Sequence, residues 1–327
     1  MFLSGLCGNH RFSSAIRLDK RIGLQGAFFP VSVNDVVQDE SQRVRLSVVV
    51  ATVHPWPELA VCLDALVAQV RETQSELIVA DGNGQGLRED VVAAHPGITW
   101  LREPGGSVFR LRALGVRAAK GAIIATTEDH CVVRPEWCTR ILEAHEQHPE
   151  AVAVAGSVVN GSQDRLIDWA NFLHTFGSFI SPIDQHQRER CPTNSNISYK
   201  RHVFEEALSE DGWMETCLNP TLFREGRFIF DDRIVVAHTQ SHGFLGTFRA
   251  HFHNGRATTG LRHARLSTWQ SPWRLLQSAL KTVRGKRHVY MTVAACLPLL
   301  ALLSCCHAAG ELVGILAGPG KSPERLN

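Results

Sequence analysis

The sequence predicts an α/β domain with a doubly wound, mostly parallel central sheet and helices on both faces. Three features predict it. Short uninterrupted apolar runs rich in Val and Ile recur, as strands covered on both faces require. Segments with a helical apolar period lie between them, and the links are short. Hydrophobic residues make up 44% of the 327 positions and charged residues 20%, which excludes both a disordered chain and one made only of membrane spans. Lys and Arg number 34 against 32 Asp and Glu, which excludes a globally basic nucleic-acid binder.

The elements follow in order. Leu46 to Thr52 reads as the first buried strand, and Pro55 and Pro57 come after it. From Glu58 to Val70 the apolar residues Leu59, Cys62, Leu63, Leu66 and Val70 keep a helical period. Glu76 to Ala80 is a second strand that ends at Asp81-Gly-Asn-Gly-Gln-Gly86. A short helix is expected over Val91–His95 and a third strand over Ile98–Leu101. Val108 to Lys120 reads as a helix stopped by Gly121 as C-cap. Ala122 to Thr127 is a fourth strand that runs into Glu128-Asp129-His130.

In open α/β sheets, ligands bind beyond the carboxyl ends of the strands. Asp81 and the Glu128–His130 cluster stand at two such ends. The Asp81 loop has neither a G-x-G-x-x-G pattern nor a P-loop Lys, and by itself it reads equally well as a turn. Two carboxylate-bearing ends facing one crevice suit a nucleotide. One would bond base or ribose while the other held a divalent cation, Mn2+ or Mg2+, on the diphosphate. A nucleotidyltransferase would use the same crevice, but it calls for a Gly- and Arg/Lys-rich first loop, unlike His54-Pro-Trp-Pro57.

The two ends of the chain differ. Residues 1–43 read as an irregular lead-in without a continuous signal-peptide core. The segment Val289–Gly310 carries no formally charged residue, and Leu312–Ala317 adds a second apolar piece after Glu311. About 20 apolar residues suffice to cross a bilayer, so residues 289–318 are expected to enter a membrane, as a span or as a hairpin dipped into one leaflet. A buried helix pair closing the domain is the alternative. Upstream, no acidic residue occurs from Arg233 to Gly310, and Arg274, Lys281, Arg284, Lys286 and Arg287 lie near Trp269 and Trp273. Residues 263–288 therefore read as a basic, membrane-proximal segment, with the body, residues 44–262, on the cytoplasmic side of the cell membrane. The nine Cys are scattered without a C-x-x-C pair, as expected of reduced thiols.

Several stretches together resemble glycosyltransferase family two, inverting enzymes of GT-A fold that use nucleotide-diphosphate sugars. Ser47-Val-Val-Val-Ala-Thr-Val-His-Pro-Trp-Pro-Glu-Leu through Gln69 is similar to the family's first strand and helix. Glu128-Asp-His-Cys-Val-Val-Arg-Pro-Glu-Trp137 resembles its D-x-D segment, and Asn194 to Phe204 resembles an acceptor-side stretch. Trp213-Met-Glu-Thr216 sits where the family has a Glu-Asp pair, and Val235-Val-Ala-His238 is similar to a strand whose His completes the metal site. The resemblance covers roughly residues 45–262. It implies a donor site of Thr52, Asp81, Glu128 and Asp129, and a metal held by His238 with His130 or, one residue over, Asp129. It also implies Glu215 as general base with Asp211 behind it. Two departures stand out: the D-x-D slot reads Glu128-Asp129-His130, and Thr216 occupies the usual base position. Arg256, in His253-Asn-Gly-Arg256, is a candidate for assisting the leaving diphosphate, or else for a phosphate or lipid contact. The expected partners are a nucleotide-diphosphate sugar, an unidentified acceptor that lipid would suit, and the membrane. Thr216 and His130 leave open a non-catalytic, nucleotide-binding relative.

Overall fold

The computed structural model describes residues 44–325 apart from 55, 57, 85–88, 185–191, 193, 206–207, 209–214 and 241. The expectations for residues 1–43 and for Asp211 lie outside the described residues. Val44–Asn327 forms one compact unit. Its strands are β1 (Leu46–Thr52), β2 (Glu76–Asp81), β3 (Ile98–Arg102), β4 (Ile123–Glu128), β5 (Cys131–Val133), β6 (Ala153–Asn160), β7 (Ile197–Lys200) and β8 (Phe228–His238). The helices are α1 (Glu58–Glu72), α2 (Glu89–Ala94), α3 (Val108–Ala118), α4 (Trp137–Gln147), α5 (Leu166–Phe176), α6 (Glu215–Arg224), α7 (Gly243–Leu261), α8 (Pro272–Thr282) and α9 (Tyr290–Ala317).

The strands form one sheet in the order β3-β2-β1-β4-β7-β6-β8-β5. The first four are parallel, which gives the doubly wound half expected from the sequence. Beyond β4 the sheet is mixed: β7 is antiparallel to β4 and β6, β8 is parallel to β6, and β5 is antiparallel to β8. Successive side chains of a strand point to opposite faces, which explains why the middle of β1, Val48–Ala51, is apolar on both sides. Val48 and Val50 pack with Leu63, Leu66, Trp137 and Ile141 on one side. Val49 packs on the other side in the cluster that holds Ile124, Val116, Phe172, Phe176, Leu300 and Leu303.

Two local expectations are corrected. Helix α3 stops at Ala118, with Ala119 extended, and Gly121 does not act as its cap. The Gly121 N–H instead donates to Ser47 Oγ at 2.7 Å and ties the helix exit to β1. The apolar tail is one continuous helix, α9, running through Pro298 and Glu311. Pro298 faces solvent. Glu311 is buried but bonded, its Oε2 accepting from the Gln270 N–H at 3.1 Å, so its charge does not break the helix. The described cysteines Cys62, Cys131, Cys138, Cys296, Cys305 and Cys306 are free thiols.

Candidate active site

Register brings the two acidic strand ends to one edge. β1 lies between β2 and β4, with Thr52 paired to Asp81 and Ala51 paired to Glu128. Beyond Glu128 the chain turns at Asp129-His130 into β5, whose Cys131 pairs with His238 at the end of β8. A strand from late in the chain thus delivers His238 to the cluster that ends β4.

Three donor atoms converge there. His130 Nε2 lies 3.0 Å from His238 Nε2, and Glu128 Oε2 lies 3.6 Å and 3.5 Å from these two nitrogens. The centre of a triangle with these edges is roughly 2 Å from each corner, the length of a bond from imidazole nitrogen or carboxylate oxygen to a small divalent cation. Cys131 is close enough to complete a four-residue group, but burial pushes its thiol well up and makes it a poor ligand. The set therefore fits a divalent cation held by Glu128, His130 and His238, and two imidazoles among the ligands favour a Mn2+-like ion over Mg2+.

Asp129 is buried behind His130. Its Oδ1 accepts from His130 Nδ1 at 2.8 Å, while its Oδ2 accepts from Thr52 Oγ1 at 2.6 Å and from His54 Nδ1 at 2.9 Å. Asp129 thus fixes the tautomer of His130 and leaves Nε2 as the ligand atom. Burial raises the Asp129 carboxyl, but the bonds from His130 and His54 outweigh it and hold the group well below the usual carboxylate range. At Glu128, burial is likewise overcome by His238, His130 and Arg112, so the carboxyl is held low. Arg112 Nη2 donates to Glu128 Oε1 at 2.8 Å and Ser195 Oγ donates to Oε2 at 2.6 Å. Burial lowers His238, against the pull of Glu128. His130 is raised: burial is outweighed by Asp129 and Glu128.

An open cleft lies over this cluster. Its floor includes His54, Arg112, Glu128, Asp129, His130, Ser195 and His238; α5 contributes Asn171 and Phe176, and α7 contributes His251 and Asn254. The Phe176 ring packs on His238 at 4.4 Å between centroids. Asp81 and Thr52 are buried at the same sheet edge but outside the cleft wall. Asp81 Oδ1 accepts from the Asn83 N–H at 2.9 Å, whereas Oδ2 is buried without a hydrogen-bond partner. Burial raises the Asp81 carboxyl against the effects of Asn83 and Arg102.

Of the remaining candidates, Glu215 is the first residue of α6, and its side chain lies outside the described residues. Arg256 lies outside the cleft wall, and its Nε donates to Gly318 O at 3.1 Å. Arg325, which no sequence pattern singled out, lines the cleft. His54, Arg112 and Ser195 were also missed as individual residues. A buried Arg inside the apolar stripe of α3 was the one readable signal among them, since a guanidinium is rarely buried without a carboxylate partner.

Fold and cluster together define a glycosyltransferase of the GT-A type. The family model described as Glycosyl transferase family 2 matches residues 47–208, and the chain belongs to that family. Over 176 residues it is 26% identical to a glucosyl-dolichyl phosphate glucuronosyltransferase of Haloferax volcanii, a match that covers 51% of this chain and 56% of the relative. The match thus spans little more than half of that relative's length. Among solved structures, the mannosyltransferase PcManGT of Pyrobaculum calidifontis, in complex with GDP-Man and Mn2+, is similar in fold with a TM-score of 0.50 at 17% identity, covering 84% of this chain and 88% of that one.

Proposed function

We propose that the protein transfers a sugar, with inversion, from a nucleotide-diphosphate sugar to a hydroxyl of a membrane-borne, lipid-linked acceptor at the cytoplasmic face of the cell membrane. The observation that carries this reading is the triangle of Glu128 Oε2, His130 Nε2 and His238 Nε2 at the carboxyl edge of a parallel half-sheet, in a family whose donors are activated sugars. A divalent cation held there supplies positive charge against the diphosphate as it departs.

The chain's own residues do the rest. We assign to Asp81, whose Oδ2 is buried without a hydrogen-bond partner, the role of accepting from a polar N–H or O–H of the nucleoside. Thr52 acts behind Asp129 by holding the carboxylate that orients His130. Inversion requires the acceptor oxygen to bond the anomeric carbon opposite the departing oxygen, while a carboxylate takes the hydroxyl proton. We assign that base to Glu215 at the head of α6, with Asp211 upstream. The lipid-linked acceptor is supported by the dolichyl phosphate chemistry named for the Haloferax relative and by the apolar helix α9.

Thermal shift with a panel of nucleotide-diphosphate sugars plus Mn2+ tests the donor half. One donor raises Tm only when Mn2+ is present, and His238→Ala abolishes the rise. Glu215→Ala keeps the rise but loses turnover. No shift with any donor, or turnover unchanged in Glu128→Ala, overturns the assignment; a donor shift without turnover under any acceptor condition favours the non-catalytic relative.

A further inference from the structure

Helix α9 is the one described helix long and apolar enough to cross a membrane, yet one of its faces is taken up by the protein itself. Gly310 and Gly314 bring the α9 backbone against α7: a Cβ on Gly310 would strike the Phe252 carbonyl, and one on Gly314 would strike the Arg256 carbonyl. Gly255 of α7 answers them, since its Cβ would strike the His307 carbonyl. The G-x-x-x-G pattern that lets membrane helices associate is here consumed inside the chain. Cys296 Sγ reaches Leu166 O, Trp269 Nε1 donates to Ala308 O at 2.9 Å, and Thr259 Oγ1 donates to Glu311 O at 3.0 Å. From Cys296 to Gly314 the helix is therefore fastened to the body over about 27 Å, nearly the whole thickness of a bilayer core.

The opposite face is apolar and open. Met291, Leu302 and Leu316 are exposed there, Met291 to 84%, with Leu297 exposed on the flank. The segment that precedes α9 packs beside the helix, from Trp269 at the Ala308 level to Tyr290 at the helix start. That segment exposes Trp273, Leu266 and the guanidinium-bearing Arg265, Arg274, Arg284 and Arg287. Lys286 is the exception: it is buried, with Nζ donating to Gly177 O at 3.0 Å and Ser178 O at 3.2 Å. Apolar side chains, Trp and Tyr, and basic side chains without intervening acid make the composition of a surface that rests in an anionic lipid interface.

We infer that α9 does not span the membrane but lies in its plane, sinking Met291, Leu302 and Leu316 into one leaflet while Arg265, Arg274, Arg284 and Arg287 meet anionic headgroups. A helix crossing the bilayer would drag its bonded inner face, Glu311 included, and the helices α5 and α7 that wall the cleft, into hydrocarbon. The inference takes the membrane setting of the proposed function but none of its chemistry, so vesicle binding and sugar transfer can succeed or fail separately.

The test uses the full chain and vesicles of one part phosphatidylglycerol to three parts phosphatidylcholine. Spin labels go on Met291→Cys, Leu302→Cys and Leu316→Cys, in a background stripped of other reactive thiols and with unchanged Tm. The expected result is one shared shallow depth for all three labels. Replacing Arg274 and Arg287 together by Gln weakens partitioning roughly 30-fold, at about 1 kcal/mol per basic residue. A label at 302 deep in the bilayer with 291 and 316 at its two surfaces overturns the inference, as does failure to bind vesicles. A stable lipid-free dimer that shields the three positions overturns it too.

Discussion

His130 Nε2 and His238 Nε2 face one another at 3.0 Å although 108 residues separate them, and both point at one carboxylate oxygen of Glu128. Without a shared cation this is a crowded arrangement, because His130 is pushed up and His238 down by the same surroundings.

Asp129 sets that arrangement from behind. Asp129→Asn leaves volume unchanged but removes the charge that selects the Nδ1–H tautomer of His130. Mn2+ affinity is expected to fall about 10- to 100-fold, read by titration calorimetry or by loss of the free-ion electron paramagnetic signal. Wild-type affinity in this variant would remove Asp129 from the site.

A pH dependence follows from His145, buried on α4 away from the cleft, with Nε2 3.0 Å from Ser198 Oγ. Burial, reinforced by Lys200, pulls it down to about 4. With the folded value below the unfolded one, the unfolded chain binds the extra proton, so stability is full above pH 6.5 and drains away as pH falls from 6.5 towards 4. The loss reaches about 3 kcal/mol, visible in urea midpoints at stepped pH. His145→Gln should flatten that slope, and a slope unaltered by the substitution assigns the effect to other groups.

Asn196 stitches three elements. Its Oδ1 accepts from Trp137 Nε1 at 2.9 Å, and its Nδ2 donates to Ser157 O and Ile234 O, each at 2.8 Å. Asn196→Ala strands a buried indole N–H and two carbonyls, so a loss of about 2–4 kcal/mol is expected by chemical denaturation. Asn196→Asp keeps the acceptor for Trp137 but not the donors, and it should recover only part of the loss.

The glycine seam makes a prediction of its own. Gly310→Ala drives a methyl group into the Phe252 carbonyl and should cost about 1–3 kcal/mol as overpacking does. Ala309→Leu, one residue earlier and exposed, should stay within about 0.5 kcal/mol. Equal effects at the two positions would sink the account of how α9 is fastened.

What was legible in the sequence was local. β1, β2 and β4 could be read because both faces of a parallel half-sheet are covered, which forces most of their buried positions to be apolar and β-branched. Glu128, Asp129 and His130 adjoin each other, and His238 ends a strand, so these members of the site were visible. Arg112, Ser195 and His54 join it only through tertiary contact and carry no spacing signal. The antiparallel strands β7 and β5 were not foreseen, since they are four and three residues long and too short for a period to emerge. The continuity of α9 was hidden because Glu311 reads as a break until Gln270 and the α7 seam are known.

Phe176 of α5 lies against His238, and α5 also leans on α9 through Cys296 and Leu166. Reaction chamber and lipid-facing rib are therefore two sides of the same wall. Exchanging individual side chains at Asn171, Asn254 or Arg325, which line the cleft, would alter its interior while leaving the seam between α7 and α9 in place.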